Sequence, residues 1–262
     1  MGEREGGGVA DEAYRRFWDV DAARGVAMIM VVLYHLVFDL DNFGGYGIES
    51  TSGFWAFFAD ASASAFLFLV GLSLAISSER QRRAGRRGLE LFGKYARRGA
   101  RIFLYGMLIT FVFLALGYGY VIFGILHLIG LSIVLAYPLL GRRIPTLLLG
   151  LAVVAAGAYL RAAGLSAPGV AGILLAPLGV LPEGAFMPDY RPLLPWFGVV
   201  LLGLFFGNAA YLPLRKKAPA AKPPPYAAPV ALLGRHTLLV YLVHQPVLIA
   251  TLWALGVVEF GP

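Results

Sequence analysis

"DVDAARGVAMIMVVLYHLVFDL", residues 19–40, decides how the rest of the chain is read. Its middle, Val26 to Tyr34, is continuous apolar sequence suited to lipid. Yet Asp21 and Arg24 stand at its entrance, and His35 and Asp39 lie near its far end. On a helix turning 100° per residue, the eleven steps from Arg24 to His35 bring the two within about 20° of each other. Asp39 falls about 40° further round, so one stripe carries all four ionisable groups. Such groups are costly inside a membrane and face a protein interior or a wet cavity.

The remainder of the chain repeats the apolar theme. Of its 262 residues 59% are hydrophobic and only 14% charged, against about a quarter charged in an average soluble domain. Apolar runs approach the roughly 20 residues needed to cross a bilayer as a helix. Only helices or closed barrels satisfy the backbone in lipid, and the alternation of barrel strands is absent. The expected fold is an all-α polytopic transmembrane bundle of about seven spans, near 22–40, 54–77, 101–117, 120–140, 145–161, 192–211 and 231–256. A further stretch at 169–181 contains Pro177 and is short, so it reads as re-entrant or interfacial. Residues 1–16 form a polar N-terminal segment without the apolar core of a signal peptide. Residues 17–262 form a single domain, with the Pro/Ala-rich connection 216–229 before the last helix.

Charge placement sets the orientation. The formal net charge of +7 would point a soluble protein toward nucleic acid; in a membrane protein it reports topology, and no nucleic-acid partner is expected. Of the 22 Lys and Arg residues, all but Arg161 and Arg191 fall on one side of the expected spans. The positive-inside rule makes that side cytoplasmic, with the N-terminus in and the C-terminus out. An integral protein of a prokaryotic cytoplasmic membrane is expected. The chain has no cysteine, which excludes disulfides, thiolate catalysis and cysteine-bound metals; no metal site is expected.

Other spans place polar residues at depths compatible with His35. Asp60 lies about two turns into the second span, and His127 in the fourth. Asp189, Arg191 and Trp196 mark the external mouth of the sixth, and His244 the middle of the seventh. An i,i+4 pair such as His35 and Asp39 can orient an imidazole and raise its basicity, as a general base requires. Asp21 with Arg24 reads either as an interfacial pair anchoring the helix end or as part of a site. The nine basic residues at 80–101 serve topology, or bind phosphate.

The pattern "DxxRGxAMxxxVxxHxxxDL" in the first span resembles the bacterial and archaeal DUF1624 proteins. These group with the catalytic domain of heparan-α-glucosaminide N-acetyltransferase in a wider superfamily of transmembrane acyltransferases. The acyltransferase-3 family opens similarly, with Asp-x-x-Arg-Gly and a His eleven residues after the Arg. "FLFLVGLSLAISS", "KYARRGARIF", "GILHLIGLSIVLAYPLL", "DYRPLLPWFGVVLLG" and "LGRHTLLVYLVHQPVLI" carry the resemblance onward in order. It implies transfer of an acyl group from cytoplasmic acetyl-CoA (acyl-CoA) to an amine or hydroxyl of a carbohydrate-like acceptor on the far side. The loop 41–55 has no histidine, so the resemblance assigns the base to His35 through the acyltransferase-3 pattern. Asp39 and His127 complete the expected catalytic set, with His127 or a backbone amide as the oxyanion donor. Arg24, Arg97, Arg98 and Arg101 are expected to meet the CoA phosphates. Asp60, Asp189, Arg191, Trp196 and His244 are expected to meet the acceptor. Direct transfer and an acetyl-histidine intermediate both remain open, as does a homodimer. The competing function is a transporter or flippase for a small or lipid-linked substrate, without transferase activity.

Overall fold

The computed structural model describes residues 17–115, 121–185, 187, 189–217 and 223–258. The expected N-terminal segment 1–16 and residues 218–222 of the Pro/Ala-rich connection lie outside them. The described residues are all-α, with no strand among them, and six helices are long and apolar enough to cross a membrane. In chain order the helices are α1 (Trp18–Asn42), α2 (Gly53–Arg83), α3 (Gly88–Ala115), α4 (Ile125–Leu135), α5 (Arg143–Ala163) and α6 (Gly169–Leu175). There follow α7 (Leu193–Phe206), α8 (Leu212–Lys217), α9 (Ala228–Arg235) and α10 (Thr237–Ala254). A π-helical turn at Gly207–Tyr211 makes α7 and α8 one continuous rod.

Two expected spans differ from what forms. The fourth, placed at 120–140, is an 11-residue helix ending in a tight turn at Tyr137–Leu139 that contains Pro138. At 1.5 Å per residue it is about 16 Å long, half the hydrocarbon core of a bilayer. Ile125 through Gly130 are all buried, so α4 is sheathed by protein and has no need of lipid-spanning length. The last, placed at 231–256, is two helices, because His236 leaves the helical region with φ −109° and ψ 19°. The stretch at 169–181 folds as α6 plus one turn through Leu178, too short to span.

The chain divides into two compact units. The first holds residues up to Phe66 and from Ala218 onward, and so joins α1 to α9 and α10 across most of the sequence. The contact between α1 and α9 is built on two glycines. A Cβ on Gly25 would strike the Val230 carbonyl, and one on Gly234 would strike the Asp21 carbonyl. Small residues at such crossings let helix backbones approach, and in lipid that packing replaces the hydrophobic effect as the force between helices. Asp21, 3% exposed, sits in this crossing and accepts from Arg24 at 2.9 Å, with the Arg235 guanidinium 3.5 Å away. One buried carboxylate thus holds a cation from each helix. Beyond α1, Asp41 accepts the backbone N–H groups of Ile48 (2.8 Å) and Ser50 (2.7 Å), which pins the turn into α2.

The second unit, Leu67–Lys217, is built on the paired helices α3 with α4 and α5 with α7. Gly99 and Gly130 face each other where α3 meets α4; a Cβ on Gly130 would lie 2.7 Å from the Gly99 carbonyl oxygen. At the end of α2, Glu79 gathers Arg82 (2.6 Å), Arg83 (3.0 Å) and Lys216 of α8 (3.6 Å).

Gly25→Val should overpack the α1–α9 crossing and cost about 1–3 kcal/mol, read as a lowered melting temperature in detergent. Asp21→Ala should destabilise more than Arg235→Ala, because it strands two guanidinium groups instead of removing one. Equal melting temperatures for these variants and the parent would show that the crossing does not hold α1 in place.

Candidate functional site

Within the first unit the polar stripe of α1 turns toward the C-terminal helices. His35 Nδ1 is 2.9 Å from the Val31 carbonyl oxygen. A carbonyl can only accept, so in the neutral ring Nδ1 carries the proton and Nε2 keeps its basic lone pair. The His35 ring meets that of His244 edge to face, with centroids 4.8 Å apart. His244 is held the same way, Nδ1 donating to the Tyr241 carbonyl at 2.6 Å. One turn beyond His35, Asp39 is 0% exposed and accepts from Gln245 Nε2 at 2.6 Å, across 206 residues of sequence. The unit therefore brings His35, Asp39 and His244 together. Gln245, which the sequence reading passed over, joins them. Its signal was present: an amide beside His244 inside an otherwise apolar helix. Asp60 is half-buried on α2.

The second unit assembles a different set around the start of α4. The Gly124 N–H donates to His127 Nδ1 at 3.1 Å, so here the neutral ring carries its proton on Nε2, the opposite tautomer to His35. His127 is 1% exposed, with Phe103 edge-on at 4.9 Å and Phe123 stacked at 5.9 Å. Its Nε2 has no hydrogen-bond partner among the described residues. Asp189 Oδ2 accepts the Ile125 N–H at 3.2 Å, capping the helix that carries His127. The backbone tightens this join, with Gly124 bridged to Tyr190 and the Arg191 N–H donating to the Phe123 carbonyl at 3.3 Å. The Arg191 guanidinium lies over the Trp196 ring, 4.9 Å from its centroid. Tyr190, outside the long helices, donates to the Ala176 carbonyl at 2.7 Å. Burial pushes its phenol up to about 12, so it remains a donor at any physiological pH. His127, Asp189, Arg191 and Trp196 are thus neighbours, and Asp189 supports the helix start.

The basic residues sort by their partners. Arg24, Arg82, Arg83, Arg86 and Arg235 each meet a carboxylate. Arg97 donates to the Gly93 carbonyl at 3.2 Å. Arg98 and Arg101 have no carboxylate partner among the described residues, while Lys94 is attracted by the Glu90 carboxylate one turn back on the same helix. Positions 94, 98 and 101 follow the i, i+4, i+7 spacing of one helix face. Cations presented together on one face are what a polyphosphate needs. Among the described residues no group of three His, Asp or Glu could hold a metal ion.

The family model described as heparan-alpha-glucosaminide N-acetyltransferase, catalytic, matches residues 16–246. No curated protein and no solved structure matches the chain significantly. The matched region takes in α1 through the first half of α10, and with them every polar residue placed above. The chain therefore belongs to the heparan-alpha-glucosaminide N-acetyltransferase catalytic family, and it is an integral membrane protein of a family whose activity is acetyl transfer.

Proposed function

We propose that the chain transfers an acetyl group from cytoplasmic acetyl-CoA to an amine or hydroxyl of a carbohydrate-like acceptor on the external side of the membrane, with His35 as general base. The observation that carries this reading is the His35 tautomer. With Nδ1–H committed to the Val31 carbonyl, the ring presents Nε2 as its acceptor and is oriented before any substrate arrives. A base that need not reorganise at the moment of reaction is what catalysis rewards.

In this scheme His35 Nε2 removes the acceptor's proton as its nitrogen or oxygen attacks the thioester carbonyl. The new C–N or C–O bond forms, the carbonyl oxygen takes up negative charge, and collapse of that centre breaks the C–S bond. The proton held on His35 then passes to the departing thiolate. His127 suits the role of oxyanion donor by its own chemistry, because its buried Nε2–H is a neutral donor in an apolar setting. His244 and Asp60 of the first unit, and Asp189, Arg191 and Trp196 of the second, remain the residues proposed for the acceptor, Asp189 also as a cap.

For the donor, Arg98 and Arg101 with Lys94 suit the CoA phosphates better than Arg24, whose guanidinium is already engaged by Asp21. Excess positive charge supports a cytoplasmic N-terminus and an external C-terminus. That topology takes α4 with its turn as the fourth traverse, and the whole of 17–262 as a single acyltransferase domain in a cytoplasmic membrane.

Purified protein with labelled acetyl-CoA and glucosamine as amine acceptor should yield labelled N-acetyl product. His35→Ala should lower kcat/KM by about 10²–10⁴-fold, the usual worth of a general base. An unchanged rate in His35→Ala would remove the residue from the mechanism. Replacing Lys94, Arg98 and Arg101 by Gln should raise the KM for acetyl-CoA by about tenfold or more, about 1.4 kcal/mol per decade, while kcat changes little. A KM that stays constant would return these residues to a purely topological role.

A further inference from the structure

Buried acceptors must find donors, and the contact between α1 and α10 leaves two that have none. Gln245 Nε2 donates to Asp39 Oδ1 at 2.6 Å. The other oxygen of each group, Asp39 Oδ2 and Gln245 Oε1, is buried with no hydrogen-bond partner among the described residues. Both orphan atoms thus belong to functional groups that already face each other. A buried carboxylate ordinarily has a cation or several donors, and one left with a single amide bond is costly.

The charged groups nearby do not supply the deficit. On its own helix, Asp39 follows His35, whose Nδ1 proton is committed to the Val31 carbonyl. On α10 the titratable neighbours of Gln245 are His244, whose Nδ1 donates to the Tyr241 carbonyl, and Tyr241 itself. Arg235 of α9 is held at Asp21, about 27 Å down α1 at 1.5 Å per residue. Asp41 accepts from Ile48 and Ser50 and has nothing to donate. Asp60, from the first half of α2, is an acceptor as well.

We propose that Asp39 is held as a neutral carboxylic acid, its Oδ2–H donating to Gln245 Oε1 while Gln245 Nε2–H donates to Asp39 Oδ1. One proton then satisfies both orphan acceptors and closes a cyclic carboxyl–carboxamide pair. That pair fastens the end of α1 that carries His35 to the helix that carries His244. Asp39 and Gln245 are then positioning residues, and Asp39 is not a charged partner that raises the basicity of His35. This holds whatever reaction the chain performs.

Two measurements on the full-length protein in detergent test it, neither needing activity. Infrared spectra at neutral pH should contain a protonated-carboxyl stretch that shifts in D2O and is missing from Asp39→Asn. In thermal melts Asp39→Asn should stay close to the parent, because its Nδ2–H replaces the Oδ2–H in the same ring. Asp39→Leu and Gln245→Leu should both melt several degrees lower. A missing carboxyl band overturns the proposal. So does an Asp39→Asn variant that melts as low as Asp39→Leu, since only an ionised Asp39 would be missed that badly by a neutral isostere.

Discussion

A polar group removed from water must find its partner within the protein, and the first helix places four ionisable groups under that requirement. Three of the four also find a partner in the C-terminal helices. Asp21 takes Arg235 together with its own Arg24, His35 meets His244, and Asp39 takes Gln245. The glycine crossings at Gly25 and Gly234 bring the backbones close enough for the Asp21 contacts to form. α1 thus forms one unit with α9 and α10. The same packing sets His35 beside His244, and the Val31 and Tyr241 carbonyls orient the two rings.

The second unit solves the same problem with backbone. The Gly124 amide occupies His127 Nδ1, and the Asp189 carboxylate occupies the Ile125 amide. Each imidazole is therefore set in a defined tautomer by a single main-chain group. Val31 makes His35 an Nε2 acceptor, and Gly124 makes His127 an Nε2 donor. A base and an oxyanion donor are the two opposed tasks in acyl transfer. The same side chain is held in opposite tautomers because the carbonyl or amide beside it differs.

Much of this was legible in residues 19–40. The stripe of Asp21, Arg24, His35 and Asp39 required a polar partner surface, and α1 does turn that stripe to the last two helices. The family was legible as well, through motifs spread in order along the chain. What the stripe could not name was the partner. Asp39 to Gln245 is a contact over 206 residues, and hydropathy carries no information about pairing. Nor can an apolar window distinguish a span from a short helix wrapped in protein, so the sequence points to a span over 120–140 where α4 covers only Ile125–Leu135. The break at His236 escaped for a related reason: no proline or long polar run interrupts the apolar stretch there. Among the cations, spacing alone could not separate Arg24, spoken for by Asp21, from Arg98 and Arg101.

In the proposed reaction acetyl groups cross from a cytoplasmic donor to an external acceptor. The most direct measurement uses oriented proteoliposomes, with labelled acetyl-CoA confined to the cytoplasmic face and glucosamine to the other. The proposed transfer should give labelled N-acetylglucosamine on the acceptor side, with none formed when donor and acceptor are exchanged across the bilayer. Passage of unmodified glucosamine without acetyl-CoA, and no acetylated product from either arrangement, would contradict it and identify a transporter.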